Sequence, residues 1–309
     1  MKITEKLNGK KVLIWGYGKE GKSTERFLQK FCKPLLVTAY EGKIEDIDSE
    51  KYDVIVKSPG IPYFTDDPRF TSQTALFLEQ FRDRVIGVTG TKGKSTTASM
   101  IYEVLAAAFG EKVVLLGNIG VPCLDCYEQM TEDTIAVFEM SCHQLADLKV
   151  SPHISVFLNI FEEHLDYYGT FENYFAAKCN IANYQKEGDV LLIGDEVPLI
   201  SSPAKRIVFS KPEEGKYEEV FNSDATEFGG AGNINAGVLA SKPCDLPRGY
   251  QHAVTITLPP MGAVILKKKK TQIKSPDRRK NKIRIVMRFM SGCKKYFIIT
   301  MILSVCLSL

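Results

Sequence analysis

The sequence predicts an α/β fold with two parallel-sheet blocks followed by a β-rich fragment. Three observations carry this. Short apolar runs alternate with helical periodicity as far as about residue 210. Two glycine-rich turns each sit between a strand and a helix. Past Lys211 the helical period stops, and glycine and asparagine cluster at 228–235. The 309 residues suit two domains plus a remainder, and 44% hydrophobic with 25% charged residues is the balance of a folded globular chain. A collagen-like, largely disordered or polytopic membrane chain is excluded.

In order, Lys11–Trp15 reads as a buried strand, Gly16-x-Gly18-x-x-Gly21 as a tight turn, and the stretch bearing Thr24, Phe27, Leu28 and Phe31 as a helix. Leu35–Thr38 and Tyr52–Val56 are further strands, and Leu76–Phe81 is helical. The second block opens with strand Arg84–Val88, runs through Thr89–Thr96 and continues as helix Thr97–Phe109. Lys112–Leu116, Thr134–Phe138, Ile154–Leu158, Val190–Ile193 and Arg206–Phe209 read as buried strands, and Val254–Leu258 as a half-buried one closed by Pro259 and Pro260. The expected units are 1–83, 84–212, 213–268 and a basic, apolar-ended tail at 269–309, expected to be disordered.

Charge divides the chain. The net value is +3, yet 13 of the 40 Lys/Arg and only one of the 37 acids lie from Lys267 onward. The body is acidic and the tail basic, which marks a solvated run. The uncharged stretch Tyr296–Leu309 falls short of the roughly 20 residues of a spanning helix. The eight cysteines have no framework spacing, so reduced thiols and a cytoplasmic setting are expected. Cys123 and Cys126 form a lone C-x-x-C, better read as packing than as a metal or redox pair.

The strongest motif is Gly90-Thr91-Lys92-Gly93-Lys94-Ser95-Thr96 between strand and helix. Backbone N–H groups of such a loop wrap phosphate oxygens, Lys94 adds charge at the terminal phosphates, and Ser95 or Thr96 offers a hydroxyl to Mg²⁺. It departs from the usual spacing, with Val88 where the first glycine would stand. The turn Gly16–Gly21 admits a dinucleotide-type phosphate contact or a purely structural turn, with Glu41 placed where a ribose-binding acid would lie. Glu139 ends a strand, and Glu162, Glu163, His164 and Asp166 follow another; Glu139 and His164 are Mg²⁺ candidates or solvated loop residues. Lys178, taken alone, reads as an exposed helix charge.

Together these motifs, with Ser58–Pro62, Gly117–Pro122, Glu139–Leu145, Ser151–Ile154, Asn159–Asp166 and Phe171–Lys178, resemble the Mur ligase family over about residues 8–210. The glycine turn with Ser58–Pro62 favours the D-glutamate-adding branch. The resemblance implies an ATP-dependent acid–amino-acid ligase of peptidoglycan precursor synthesis. It would join D-glutamate to UDP-N-acetylmuramoyl-L-alanine through an acyl phosphate. It implies Lys94, Glu139, His164 and Lys178 as catalytic residues, and Ser95, Glu139, His164 and a carbamylated Lys178 around Mg²⁺. Gly90, Thr91, Lys92, Gly93, Lys94, Ser95 and Thr96 would hold ATP. Gly16, Tyr17, Gly18, Thr38, Ser58, Pro59, Gly60 and Asn118 would meet the substrate. A monomer with no nucleic-acid or membrane partner is implied.

Three positions depart from the family pattern. Cys142 stands for a serine, Glu163 for an aspartate and Tyr168 for a histidine. Nothing after Lys211 resembles the family's third domain. Tyr217–Asp224, Phe228–Gly230 and Thr257–Gly262 instead look like the C-terminal β-domain of glycogen branching enzymes, over about 216–268. The alternative expectation is therefore a catalytically incomplete nucleotide-binding fragment in a chimeric reading frame.

Overall fold

The structure, a computed structural model, describes residues 2–210, 214–222, 224–226, 230–246, 250–257, 264–269 and 285–286. The N-terminal block is a parallel four-stranded sheet of β1 (Lys11–Trp15), β2 (Leu36–Tyr40), β3 (Val54–Lys57) and β4 (Phe70–Thr71), in the order β2-β1-β3-β4. Helices α1 (Ile3–Leu7), α2 (Lys19–Phe31) and α3 (Gln73–Phe81) accompany it. Because β2 and β3 lie on opposite sides of β1, the chain reverses direction there and opens a crevice beyond the carboxyl ends of β1 and β3.

The second block is built on β5 (Val85–Thr89), β6 (Val113–Gly117), β7 (Ile135–Glu139), β8 (Ile154–Phe157), β9 (Val190–Gly194) and β10 (Lys205–Ser210). These pair in parallel in the order β10-β9-β8-β5-β7-β6. Every residue of β5, β8 and β9 is buried, as expected of inner parallel strands covered on both faces. Helix α4 (Lys94–Phe109) lays Thr97, Ala98, Ile101 and Leu105 on that sheet. Burying side chains the size of Ile101 and Leu105 stabilises by about 1.5–3 kcal/mol each. Helices α5 (Cys142–Leu145), α6 (Leu165–Tyr168) and α7 (Phe171–Cys179) pack with the N-terminal block into one shared apolar cluster that includes Phe27, Phe77, Phe138 and Tyr174.

Polar ties also join the blocks. Lys57, almost fully buried, donates to the Ile61 carbonyl at 2.9 Å and pairs with Asp147 at 2.7 Å. Gln144 Nε2 donates to Glu20 Oε1 at 2.7 Å, and burial raises the Glu20 pKa. Cys123 Sγ donates to Gln73 Oε1 at 3.5 Å, and both Cys123 and Cys126 are buried with raised pKa values. That environment is the packing role expected of the pair.

Past residue 210 the described strands are β11 (Lys216–Asn222), β12 (Val238–Ala240), β13 (Lys242–Leu246), β14 (Tyr250–Ala253), β15 (Val264–Lys268) and β16 (Ile285–Val286). The edge of β10 is paired in parallel by β16, which connects it to antiparallel β15, β11 and β12. One sequence expectation changes here. The strand expected at Val254–Leu258 ends earlier: β14 stops at Ala253, 254–257 lies outside any strand, and Leu258 is outside the described residues. Alternation persists there, but backbone pairing to β13 ends at Ala253. The expected disorder at 269–309 falls almost wholly outside the described residues; Ile285 and Val286 form β16.

A Cβ at Gly21 would lie 2.2 Å from the Gly16 carbonyl oxygen, so the helix can approach the turn only with glycine there. Gly21→Ala is expected to destabilise the chain by about 1–3 kcal/mol. An unchanged urea midpoint would show that the turn relaxes freely.

Candidate functional site

The site grows from register. Val88 of β5 stands opposite Glu139 of β7, Glu139 opposite Gly117 of β6, and Thr89 opposite Phe157 of β8. Four strands therefore end level, and the loops that leave them share one edge of the sheet. Ligands of open α/β sheets gather at such an edge.

The loop from Gly90 to Gly93 leaves β5 and enters α4, with Gly93 in the left-handed region (φ 86°) as the N-cap residue. Helix α4 begins at Lys94, three residues before the sequence expectation, so Lys94, Ser95 and Thr96 form its first turn. The unpaired N–H groups there point toward any anion at the loop. Gly90 (φ 154°) has no room for a side chain, since a Cβ would lie 2.9 Å from Leu158 Cβ. Asn159, just past β8, clamps the loop from outside. Its carbonyl accepts from Thr91 N (3.0 Å), its Oδ1 from Lys92 N (3.0 Å), and its Nδ2 donates to the Lys92 carbonyl (3.0 Å). Thr91 is buried, with Oγ1 accepting from Phe161 N at 3.0 Å and lying 3.1 Å from the Tyr174 hydroxyl. Lys94 folds back to donate to the Thr91 carbonyl at 3.0 Å.

Ser95, Glu139 and Asn118 come together. Ser95 Oγ donates to Glu139 Oε1 at 3.1 Å, and Asn118 Nδ2 lies 3.3 Å from the same oxygen. Glu139 is fully buried, and its second oxygen, Oε2, has no hydrogen-bond partner. A buried carboxylate oxygen left bare is costly unless a cation or donor meets it. Oxygen donors from Ser95 and Glu139 beside a phosphate-type loop fit Mg²⁺.

Lys178 overturns its reading as an exposed charge. Helix α7 turns Tyr174, Ala177 and Lys178 inward, the i, i+3, i+4 face, and Lys178 is 1% exposed. Its Nζ donates to the Gly90 carbonyl at 2.9 Å, lies 3.4 Å from Thr89 Oγ1, and sits 5.1 Å above the Tyr174 ring. Burial, with a smaller push from Lys94, lowers its pKa to about 8. A buried amine that readily sheds its proton can act as a nucleophile toward CO₂.

His164 is exposed and left-handed (φ 57°), with its ring 5.2 Å from that of His143. Glu163 pairs with Lys92, which holds its pKa low, and reaches within 3.8 Å of His164 Nε2. Sequence reasoning missed the roles of Asn159 and Tyr174; their signal was position, one just beyond a strand neighbouring the loop and the other four residues before Lys178.

In the N-terminal crevice the residues divide. Ser58 Oγ donates to the Gly16 carbonyl at 2.9 Å, and a Cβ on Gly16 (φ 93°) would lie 2.6 Å from Ser58. The Gly16 turn thus has a packing cause of its own. Gly18 caps α2 and is exposed, as is Gly60; Tyr17 bonds Glu25; Thr38 is half-buried on β2. The Pro59 carbonyl accepts from Tyr167 at 3.4 Å, which joins this turn to α6. Asn118 lies with Glu139, at the loop of the second block. Glu41 is exposed just past β2.

Residues 88–239 match the Mur ligase middle domain. The match runs past residue 212, where the sequence places the end of the ATP-binding unit. The chain is similar to UDP-N-acetylmuramoylalanine--D-glutamate ligase of Ligilactobacillus salivarius (strain UCC118), 34% identical over 255 residues, covering 70% of this chain and 56% of the relative. It is likewise similar to the protein of that name from Streptococcus pneumoniae serotype 19F (strain G54), at 32% over 241 residues, 67% and 52% covered. The chain thus spans about half the length of the curated relatives it matches. A solved UDP-N-acetylmuramate:L-alanyl-gamma-D-glutamyl-meso-diaminopimelate ligase from Neisseria meningitides aligns over 67% of this chain and 82% of its own, at 17% identity and TM-score 0.43. Among the described residues no helix is long and apolar enough to cross a membrane.

The Lys178 amine gives a pH signature. Between about pH 8 and 10.5 the unfolded chain holds a proton that the folded chain lacks, so stability rises with pH through that window. Below it both states are protonated, and the burial penalty, about 3 kcal/mol, is present in full. In bicarbonate-free buffer Lys178→Met should remove this rise from urea stability measured at about pH 7 and about pH 10. An equal rise in both proteins would assign it to another group.

Proposed function

We propose that the chain is a member of the Mur ligase family and is built for ATP-dependent ligation of D-glutamate to UDP-N-acetylmuramoyl-L-alanine. The observation that carries this is the convergence of Lys178, Tyr174 and Asn159 on the Gly90–Ser95 loop, with Glu139 beside it. Residues 84–212 are the ATP-binding unit and 1–83 the UDP-substrate unit, consistent with a cytoplasmic precursor-building step.

The loop N–H groups from Gly90 to Ser95 bind phosphate oxygens at the start of α4. Lys94 exchanges its bond to the Thr91 carbonyl for the terminal phosphates and neutralises charge there during phosphoryl transfer to the substrate carboxylate. That transfer supplies the leaving group a carboxylate lacks, and the amino group of D-glutamate then displaces phosphate from the acyl phosphate. Ser95, Glu139, His164 and a carbamylated Lys178 would hold Mg²⁺, which when bound supplies Lewis-acid stabilisation of phosphate charge. The bare Glu139 Oε2 and the low-pKa, buried Lys178 amine suit those roles. Asn118 orients Glu139 and borders the transferred group. Gly16, Tyr17, Gly18, Thr38, Ser58, Pro59 and Gly60 surround the crevice proposed for the UDP moiety.

The strands past Ser210, which lack the α/β pattern of the block before them, favour a second reading, nucleotide binding without turnover. With ATP, Mg²⁺, UDP-N-acetylmuramoyl-L-alanine and D-glutamate, the ligase reading expects phosphate release only when both substrates are present. Silence with retained nucleotide binding selects the second reading. Lys94→Ala should abolish ATP binding in calorimetry and leave UDP binding unchanged; equal loss of both would contradict two separate sites.

A further inference from the structure

Next to the oxygen-donor cluster lies a donor set of different chemistry. Cys142, His143 and His164 each present one ligand atom, and the three atoms lie within 4.8 Å of one another. Cys142 is the buried first residue of α5, His143 beside it is half-buried, and His164 is exposed on the loop before α6. The His143 ring stacks on Tyr168 at 5.6 Å and 11°, with the Tyr168 hydroxyl 3.4 Å from its Nδ1. His164 is the one non-glycine residue of positive φ among the described residues.

We propose that Cys142, His143 and His164 form a binding site for a thiophilic divalent cation, Zn²⁺ above all, separate from the hard-ion site at Ser95 and Glu139. One thiolate and two imidazoles are the donors zinc prefers, whereas Mg²⁺ takes oxygen. Three protein ligands leave a fourth, tetrahedral position to water. Zn–S near 2.3 Å and Zn–N near 2.0–2.1 Å put donors about 3.5 Å apart, so the set closes by about 1 Å on binding. The exposed His164 supplies both the entry side and the freedom to move. The Tyr168 hydroxyl stands behind the His143 imidazole as the kind of outer partner that orients a metal-binding histidine. One consequence rests on the proposed ligase reading: His164 is placed there around Mg²⁺, so the two ions would compete for that one ligand. The site itself does not depend on that reading.

The test uses the full chain, stripped of metal, held under a non-thiol reductant and titrated with Co²⁺. One equivalent should produce a near-ultraviolet thiolate-to-cobalt charge-transfer band and the intense visible bands of tetrahedral cobalt. Added Zn²⁺ should bleach both. Cys142→Ser should lose the charge-transfer band, with circular dichroism reporting that the fold is kept. His164→Gln, at an exposed position that does not threaten folding, should weaken cobalt binding by about tenfold or more. The proposal is overturned by absence of the band in the parent chain. Survival of the band in Cys142→Ser, which would assign it to another thiol such as the Cys123–Cys126 pair, also overturns it, as does unchanged affinity in His164→Gln.

Discussion

The buried ammonium of Lys178 donates to the carbonyl of Gly90, and the phosphate-type loop is held through that bond. It ties α7 to the turn after β5 and fixes where Thr91 and Lys92 emerge toward Asn159. A cation placed in a low-dielectric interior is expensive, and here a carbonyl, a hydroxyl and the Tyr174 ring share the task of solvating it. The residual cost appears as a depressed pKa.

The two blocks meet through the same region. Lys57, Asp147, Gln144 and Glu20 link the N-terminal crevice to α5 and its neighbour residues, and Tyr167 reaches the Pro59 carbonyl. The histidine pair His143 and His164 stands between the loop at Lys92–Glu163 and that interface. Substrate on one side and nucleotide on the other would therefore face each other across α5 and α6. Past Ser210, strands β16, β15, β11 and β12 extend the sheet, so the far edge of the second block is covered by chain lacking the α/β pattern.

Strand positions in the first two hundred residues were readable because inner parallel strands are continuous apolar runs, and their parallel pairing follows from alternation with helices. The loop Gly90–Thr96 was readable because its chemistry is local: glycines, a lysine and hydroxyls within one turn. Lys178 was not readable from periodicity, since a lysine on a short helix looks solvated unless the inward face is known. The half-buried strand assigned to Val254–Leu258 failed for a related reason: alternation states which side chains share a face and says nothing of where a pairing partner stops.

From its order of residues alone, this protein determined its local elements, its anion-binding loop and the residue types available for phosphate chemistry. These depend on neighbours within a few positions. Only the tertiary structure decided that Glu139 shares its oxygen with Ser95 and Asn118, that Lys178 lies under Gly90, and that Cys142, His143 and His164 face one another. Such meetings depend on parallel register and helix packing across tens of residues, where the energy of each contact is set by what else is buried beside it.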